Sequence, residues 1–544
     1  EISLAEEEKS PGKRAEVSEM FLGKNYVLFT YTYLKDVRLV YAPPEDLAKF
    51  GGEADNWIWP RHSGDFTFMR AYVAPDGSSA DYSPDNVPYQ PKQVLQVSSS
   101  GVFDQDPVFI LGYPGSTYRH RPAAFLAYMG EVFMPYVVDW YGWQIEMMED
   151  LSAADDTHRL ALASRLRSLH NTYKNFRGKL QGMEKLDLLE RKRVEEEQLQ
   201  EFIEADPARS EMYGTVIADL DAYYAERSAN RPGELWLRYM LRSPEIMLAA
   251  LTVWDYAHEK TKPDTERERA FMQRNIDQTI NGLKSMSARF DPETDRRIML
   301  ELMARGEGVP QAQHGDLAGL LGPGKAAEAE AYLEGIFADS RLMEEDYLLA
   351  AMDKSATELK ALRDPFLEIV AAYYEAWVRQ REDTKRRKGE LDPLSAALVD
   401  ARSEFLGEGF VPDANGTLRL TYGKIEGYSP RDAVWLTPVT TVAGLLEKDT
   451  GQDPYALPAD VREIVAAGEF GPFDQEELGG VPVNILYSTD TTGGNSGSPV
   501  LNAAGEVVGL NFDRAWEATI NDYDWDHSYS RSIGVDIRYV LWVT

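Results

Sequence analysis

The chain of 544 residues contains no cysteine. That removes disulfides, thiolate-ligated zinc, iron–sulfur clusters and a cysteine nucleophile. It says nothing of compartment, because exported proteins can lack cysteine too. Basic residues are scarce: 57 Lys+Arg stand against 90 Asp+Glu, a net charge of −33. Broad nucleic-acid or anionic-membrane surfaces need a basic face, so neither partner is expected. Long hydrophobic runs are missing as well. The longest strongly apolar stretch, Ile246 to Trp254, is far short of a membrane span. The chain opens on Glu1 in a charged stretch, without Met or a secretory signal, and reads as beginning inside a larger protein.

What is present is enough for sizeable cores. Hydrophobic residues make up 43% and aromatics 11%, which argues against wholesale disorder, and the length suggests more than one domain. Three zones follow one another. From about Asn25 to Tyr113 the sequence is strand-like, with β-branched and aromatic runs at 27–33, 37–41, 65–73 and 108–112 between Pro/Gly turns. From about Ala123 to Leu406 the period is helical. Leu162, Leu166, Leu169, Tyr173, Phe176 and Leu180 form one stripe of a long amphipathic helix. Further helices are expected at 184–204, 209–228, 234–260, 264–287, 294–305, 324–338, 341–362 and 364–388, with breaks at Arg231-Pro232-Gly233 and Gly322-Pro323-Gly324. From about Gly409 to Thr544 strands return, at 417–422, 481–487, 498–501 and 506–512. Periodicity alone leaves two organisations open: three domains, or a helical domain inserted into a two-part β domain.

The strongest chemical signal is Thr491-Thr492-Gly493-Gly494-Asn495-Ser496-Gly497-Ser498-Pro499-Val500. Glycines around a serine between two strands allow a tight turn that exposes the Ser496 hydroxyl. The N–H groups of Gly494 and Ser496 can then converge as an oxyanion hole. A serine nucleophile needs a base and an orienting carboxylate. In two-barrel peptidases the chain order is His, Asp, Ser. Asp65, read as leading a strand of the first β part, is the candidate carboxylate. His62 is the sole histidine upstream of it, three residues away, a spacing wrong for that arrangement. It reads as structural, and the chain as given lacks a recognisable base.

These motifs resemble those of the bacterial dipeptidyl-peptidase 7 and 11 family of serine peptidases. The resemblance rests on Gly51-Gly52-Glu53-Ala54-Asp55-Asn56-Trp57-Ile58-Trp59-Pro60-Arg61-His62-Ser63-Gly64-Asp65-Phe66, on Tyr82 to Tyr89, on Gly112-Tyr113-Pro114-Gly115, on Pro412 to Asn415, on Tyr422-Gly423-Lys424 and on the Ser496 region. It runs from about residue 20 to the end. It implies an α+β fold: a chymotrypsin-like double β-barrel with a large inserted α-helical domain. The corresponding domains are 1–122, the first barrel part with its N-terminal portion missing, 123–406, the helical insert, and 407–544, the second barrel part.

Carried onto this sequence, the resemblance implies Ser496 as nucleophile and Asp65 as the triad carboxylate. Asn56, Trp57, Asn171 and Asp513 would bind the free amino terminus of a peptide. Asn171 lies two residues from both Leu169 and Tyr173, roughly opposite the core stripe. Arg514 stands where relatives that accept apolar residues carry Gly, and implies a pocket for Asp or Glu, since guanidinium offers a bidentate fork. Pairing of Arg514 with a neighbouring acid such as Glu517 is the competing expectation. The implied activity is release of dipeptides with an acidic second residue. The implied compartment is the periplasm, the implied partners are peptides with free N-termini, and a homodimer is left open. The family's catalytic His would precede Glu1. No cofactor and no metal are expected. A glutamyl endopeptidase-like enzyme and a non-catalytic peptide-binding pseudopeptidase are the alternatives. Gly319 to Ala326 imitates a phosphate-binding loop but ends in Ala where Ser or Thr is needed, and His258-Glu259 lacks the second His of a zinc peptidase.

Overall fold

The computed structural model describes residues 2–10, 12–21, 24–306, 317, 324–407 and 410–544. Residues 319–323 of the sequence that imitates a phosphate-binding motif, and His314, lie outside the described residues. The chain divides into two units. One comprises Glu1–Ala123, Lys174–Gly214 and Ser395–Thr544; the other comprises Ala124–Tyr173 and Thr215–Leu394. The helical residues Lys174–Gly214 and those from Ser395 onward therefore group with the strands rather than with the other helices.

In the strand-rich unit the strands are β1 (Lys13–Phe21), β2 (Asn25–Thr32), β3 (Asp36–Tyr41), β4 (Phe68–Val73), β5 (Val87–Pro88), β6 (Pro107–Gly112), β7 (Arg419–Lys424), β8 (Val439–Thr441), β9 (Pro482–Tyr487), β10 (Pro499–Asn502), β11 (Val507–Arg514) and β12 (Ser532–Asp536). β1 and β2 form a hairpin, and β3-β4-β5 a three-stranded sheet. The main sheet has seven strands in the order β7-β6-β10-β11-β12-β9-β8. β6 precedes the helical stretch in sequence, yet it pairs with β7 and β10 from after it. The chain therefore leaves this sheet and returns to it. The β9, β11 and β12 side chains are nearly all buried, so their residues read as continuous apolar runs broken by a few polar groups with defined partners.

The strand expected from Asp65 begins later, at Phe68. The preceding residues are held by the core instead of a ladder. Phe66 is buried against Leu47, Phe50 and Tyr539, and the Gly64 N–H donates to the Leu47 carbonyl at 2.8 Å.

The helical unit is built around a large apolar core that includes Trp140, Trp236, Met299, Leu302 and Tyr373. Leu162 and Leu169 of the predicted stripe are buried in it. The expected break at Pro232 does not occur: one helix runs Val216–Arg242 with Pro232 inside. Proline in a helix costs about 3 kcal/mol. The same helix buries Leu235, Trp236, Leu237, Met240 and Leu241, each contributing about 1.5–3 kcal/mol, so packing outweighs the break. The helix Pro365–Leu406 also continues through Pro393. The apolar run Ile246 to Trp254 lies in the helix Glu245–Glu259 and is mostly buried in this core. Among the described residues no helix is long and apolar enough to cross a membrane.

Candidate active site

Ser496 lies in the loop between β9 and β10, two strands that are not neighbours in the sheet. The loop must therefore cross the ends of β11 and β12. Asn495 sets its shape. Its side-chain oxygen accepts from the Thr492 N–H at 3.0 Å, and its own N–H donates to the Thr492 carbonyl at 3.1 Å. Gly494 has φ 105°, and a Cβ there would stand 2.4 Å from the Tyr113 carbonyl oxygen. Only glycine fits. The Gly115 N–H donates to the Gly493 carbonyl at 2.6 Å, so the Gly112 to Gly115 motif is the other wall of this loop.

Ser496 is exposed, and its hydroxyl donates to the Phe512 carbonyl at 3.2 Å. A bulge makes that carbonyl available. The β11–β12 register shifts between Asn511 and Asp513, which leaves Phe512 out of the ladder. Neither the Gly494 nor the Ser496 N–H meets an acceptor among the described residues. Two unspent donors beside an exposed serine hydroxyl are what an oxyanion hole requires.

The bulge also aims the next two side chains. Asp513 is buried and pairs with Arg61 at 2.5 Å. Its Oδ2 also accepts from the Trp57 N–H at 3.2 Å, and its Oδ1 from the Arg514 N–H at 2.8 Å. Burial pushes the Asp513 carboxyl up, and Arg61 pulls against it. Trp57 is buried with φ 66°. This left-handed conformation costs a bulky residue about 1–3 kcal/mol and marks functional sites. Asn56, its neighbour, donates to Glu53 at 3.1 Å. Sequence reasoning missed Arg61, although it lies inside the motif quoted above. Its Nη1 donates to the Asp55 carbonyl and its Nε to the Ser63 hydroxyl.

Asp65 is exposed and accepts no hydrogen bond among the described residues. Desolvation by its surroundings raises its carboxyl, Arg61 lowers it and Asp513 raises it again. Those couplings join Asp65 to the Asp513 side of the site. Asn171 belongs to the helical unit, on the helix Asp156–Lys185, and is exposed.

Arg514 is 4% exposed. Its acidic partner is Asp522, at 3.1 Å from Nη1, and the Thr491 carbonyl accepts from the same nitrogen at 3.1 Å. Glu517, the expected neighbour, instead accepts from the Tyr428 hydroxyl at 2.6 Å. The reason is the turn Trp516–Asp522, which brings Asp522 back to the strand end. The guanidinium lies over the Trp57 ring, 5.3 Å from its centroid. Its Nε and Nη2 donors take no acceptor among the described residues. This same edge of Arg38 grips a carboxylate, with Nε and Nη2 at 3.0 and 2.7 Å from the Asp36 oxygens.

None of the six described histidines contacts Ser496. His62 is buried, and burial, then Lys448, holds it down at about 3. His120, His158, His170, His258 and His527 contact Val411, Asp291, Glu149, Trp254 and Glu426 respectively. Among the described residues no group of three or more His, Asp or Glu could hold a metal ion.

The family model described as Peptidase S46 matches residues 2–544. The Asp/Glu-specific dipeptidyl-peptidase of Shewanella putrefaciens is 33% identical, over 97% of this chain and 75% of the relative. Dipeptidyl-peptidase 7 of Porphyromonas gingivalis is 30% identical, over 99% of this chain and 75% of the relative. The crystal structure of Porphyromonas endodontalis DPP11 in complex with the dipeptide Arg-Glu matches with a TM-score of 0.80 and 30% identity, covering 99% of this chain and 77% of that one. The chain thus spans about three quarters of the length of these relatives, and its mixed helix-and-sheet fold is shared with DPP11.

Proposed function

The chain belongs to the peptidase S46 family, and from that premise we propose that it is a serine exopeptidase releasing dipeptides with Asp or Glu as the second residue. One observation carries this reading: β11 presents three functions in succession. The Phe512 carbonyl holds the Ser496 hydroxyl, Asp513 follows, and Arg514 ends the strand with an open edge. A carboxylate on that edge would make two charge-assisted hydrogen bonds. This agrees with the relatives named Asp/Glu-specific dipeptidyl-peptidase.

In this reading the Ser496 oxygen attacks the carbonyl of the second residue. The hydroxyl proton passes to a base. The oxyanion is met by the Gly494 and Ser496 N–H groups, the amine leaves with a proton, and water then cleaves the acyl-enzyme. Asp65 orients that base. Asn56, Trp57 and Asp513 hold the substrate ammonium. Asp513 is already matched by Arg61, so the ammonium would meet its remaining lone pairs rather than an unpaired charge. The sheets around Ser496 and Asp65 are proposed to be the two parts of a chymotrypsin-like double barrel, and the compartment to be the periplasm. The first is supported by the return of the chain to one sheet, the second by the family resemblance alone.

Mass analysis of a peptide digest by the full-length enzyme tests the activity. Successive dipeptides ending in Asp or Glu are expected, with no cleavage when the N-terminus is blocked. Internal fragments from the blocked peptide would replace this reading with an endopeptidase.

A further inference from the structure

Arg514 shares its place with Asp522, and a lone Arg–Asp pair would be a poor acidic pocket. Its net charge is zero, and its carboxylate repels an incoming one. A third group changes the balance. Lys179 reaches the other oxygen of Asp522 at 2.6 Å, and the Thr492 hydroxyl also donates to this carboxylate. Lys179 and Asp522 are both buried. The chain is built to bring them together. Gly178 and Gly182 lie one helical turn apart on the Lys179 helix. A Cβ on Gly178 would stand 2.4 Å from the Thr519 hydroxyl oxygen, and one on Gly182 2.7 Å from the Ile520 Cβ. Trp516 adds a hydrogen bond to Gln181 at 2.9 Å. The helix face 178–182 is therefore seated on the turn that ends in Asp522. Asp513, the other acid near Arg514, is matched by Arg61. The cluster Arg514, Lys179 and Asp522 keeps one net positive charge in a chain whose total is −33.

We propose that Asp522 and Lys179 act as a pair of positioning residues for acidic selectivity: Asp522 fixes the Nη1 side of Arg514 so that its Nε/Nη2 edge faces the substrate, and Lys179 cancels the charge Asp522 introduces. An acidic second residue then completes a balanced set of two cations and two anions. Neither residue touches the reacting atoms. This inference rests on the reading that Arg514 receives the substrate carboxylate.

The test is a charge-rescue series in the full-length enzyme. The readout is the ratio of kcat/KM for otherwise identical peptides carrying Glu or Gln as second residue. Lys179→Met makes the cluster neutral, and the Glu/Gln ratio should fall by about tenfold or more, the size expected for one charge a few ångströms away in a partly desolvated site. Adding Asp522→Asn restores one net positive charge and leaves an amide oxygen for Arg514, so the double variant should recover most of the ratio. Lys179→Arg keeps the charge and should stay within about threefold of the parent. A merely structural lysine would give no recovery in the double variant. An unchanged ratio in Lys179→Met, or a double variant worse than the single, overturns the proposal. Should Lys179→Met fail to fold, judged by its melting curve, Lys179→Gln takes its place, with the same fall and the same recovery expected and an unchanged ratio overturning the proposal. Arg514→Gly separates the two levels. If it leaves the Glu/Gln ratio unchanged, the underlying reading fails; if it abolishes the ratio while Lys179→Met does not alter it, only this inference fails.

Discussion

Two buried aspartates, one in each unit, meet opposite fates. Asp522 sits among Arg514, Lys179 and the Thr492 hydroxyl. Burial would raise it, yet those partners hold it down at about 2. Asp295 lies in the first turn of the helix Pro292–Ala304 in the other unit and is pushed up to about 7 by burial. Its cation, Arg165, stands 3.9 Å away and spends Nη2 on Gln144 and the Ser243 carbonyl. Even at that distance Arg165 opposes burial most, and the Ile246 N–H, donating at 2.8 Å, comes next. Burial is similar, so cation contact makes the difference. The contrast belongs to these two sites and not to whole units: in the helical unit Asp255 meets Arg381 at 3.0 Å and Glu234 is lowered by Arg387 and Arg231, while in the strand-rich unit burial raises Asp513.

The sharpest break between the regions is in turnover. Ser496→Ala in the full-length enzyme should lower kcat by about four orders of magnitude or more, with an unaltered melting temperature. Retained turnover would remove Ser496 as the nucleophile. Next in size, Arg514→Gly should move preference from acidic to apolar second residues, a change of about 10²–10³ in the ratio of kcat/KM values. The counterpart in the helical unit is Leu302→Ala. Leu302 is fully buried, and the change should cost about 2–5 kcal/mol of stability while the preference of the surviving enzyme stays as it was. A shift in preference would blur the division drawn here.

The smallest effects are opposite slopes with pH. Asp522 is depressed from about 4 in the unfolded chain. Its stabilisation is present above that value and lost as pH falls towards 2, on the order of 2 kcal/mol. Asp522→Asn should flatten the acid limb of a denaturation series between about pH 4 and 2. Asp295 is raised, so the folded state holds the extra proton and stability falls as pH rises from about 4 to about 7. Asp295→Asn should remove that decline and leave the acid limb alone. Parallel slopes in the two variants would contradict the contrast.

Much of this was legible in the residues. The glycines around Ser496 imply a turn with outward N–H groups because no other residue adopts φ 105° there without striking Tyr113. The stripe from Leu162 to Leu180 implies a buried helix face because its period is helical. The breaks were less legible. Pro232 carries a local signal that burial of its helix overrides. Asp65 resembles a strand start because Phe66 and Phe68 follow it, but Phe66 goes to the core instead of a ladder.

By itself, the sequence determined the alternation of strand and helix zones, the Ser496 loop and the candidate acids, because periodicity and glycine placement are local properties. The partners of those acids came only from the tertiary structure. Arg61 and Asp513 are 452 positions apart, and Lys179 and Asp522 are separated by almost the whole helical stretch. Electrostatics depends on distances of a few ångströms, and those distances are created by strand order and helix seating rather than by spacing along the chain.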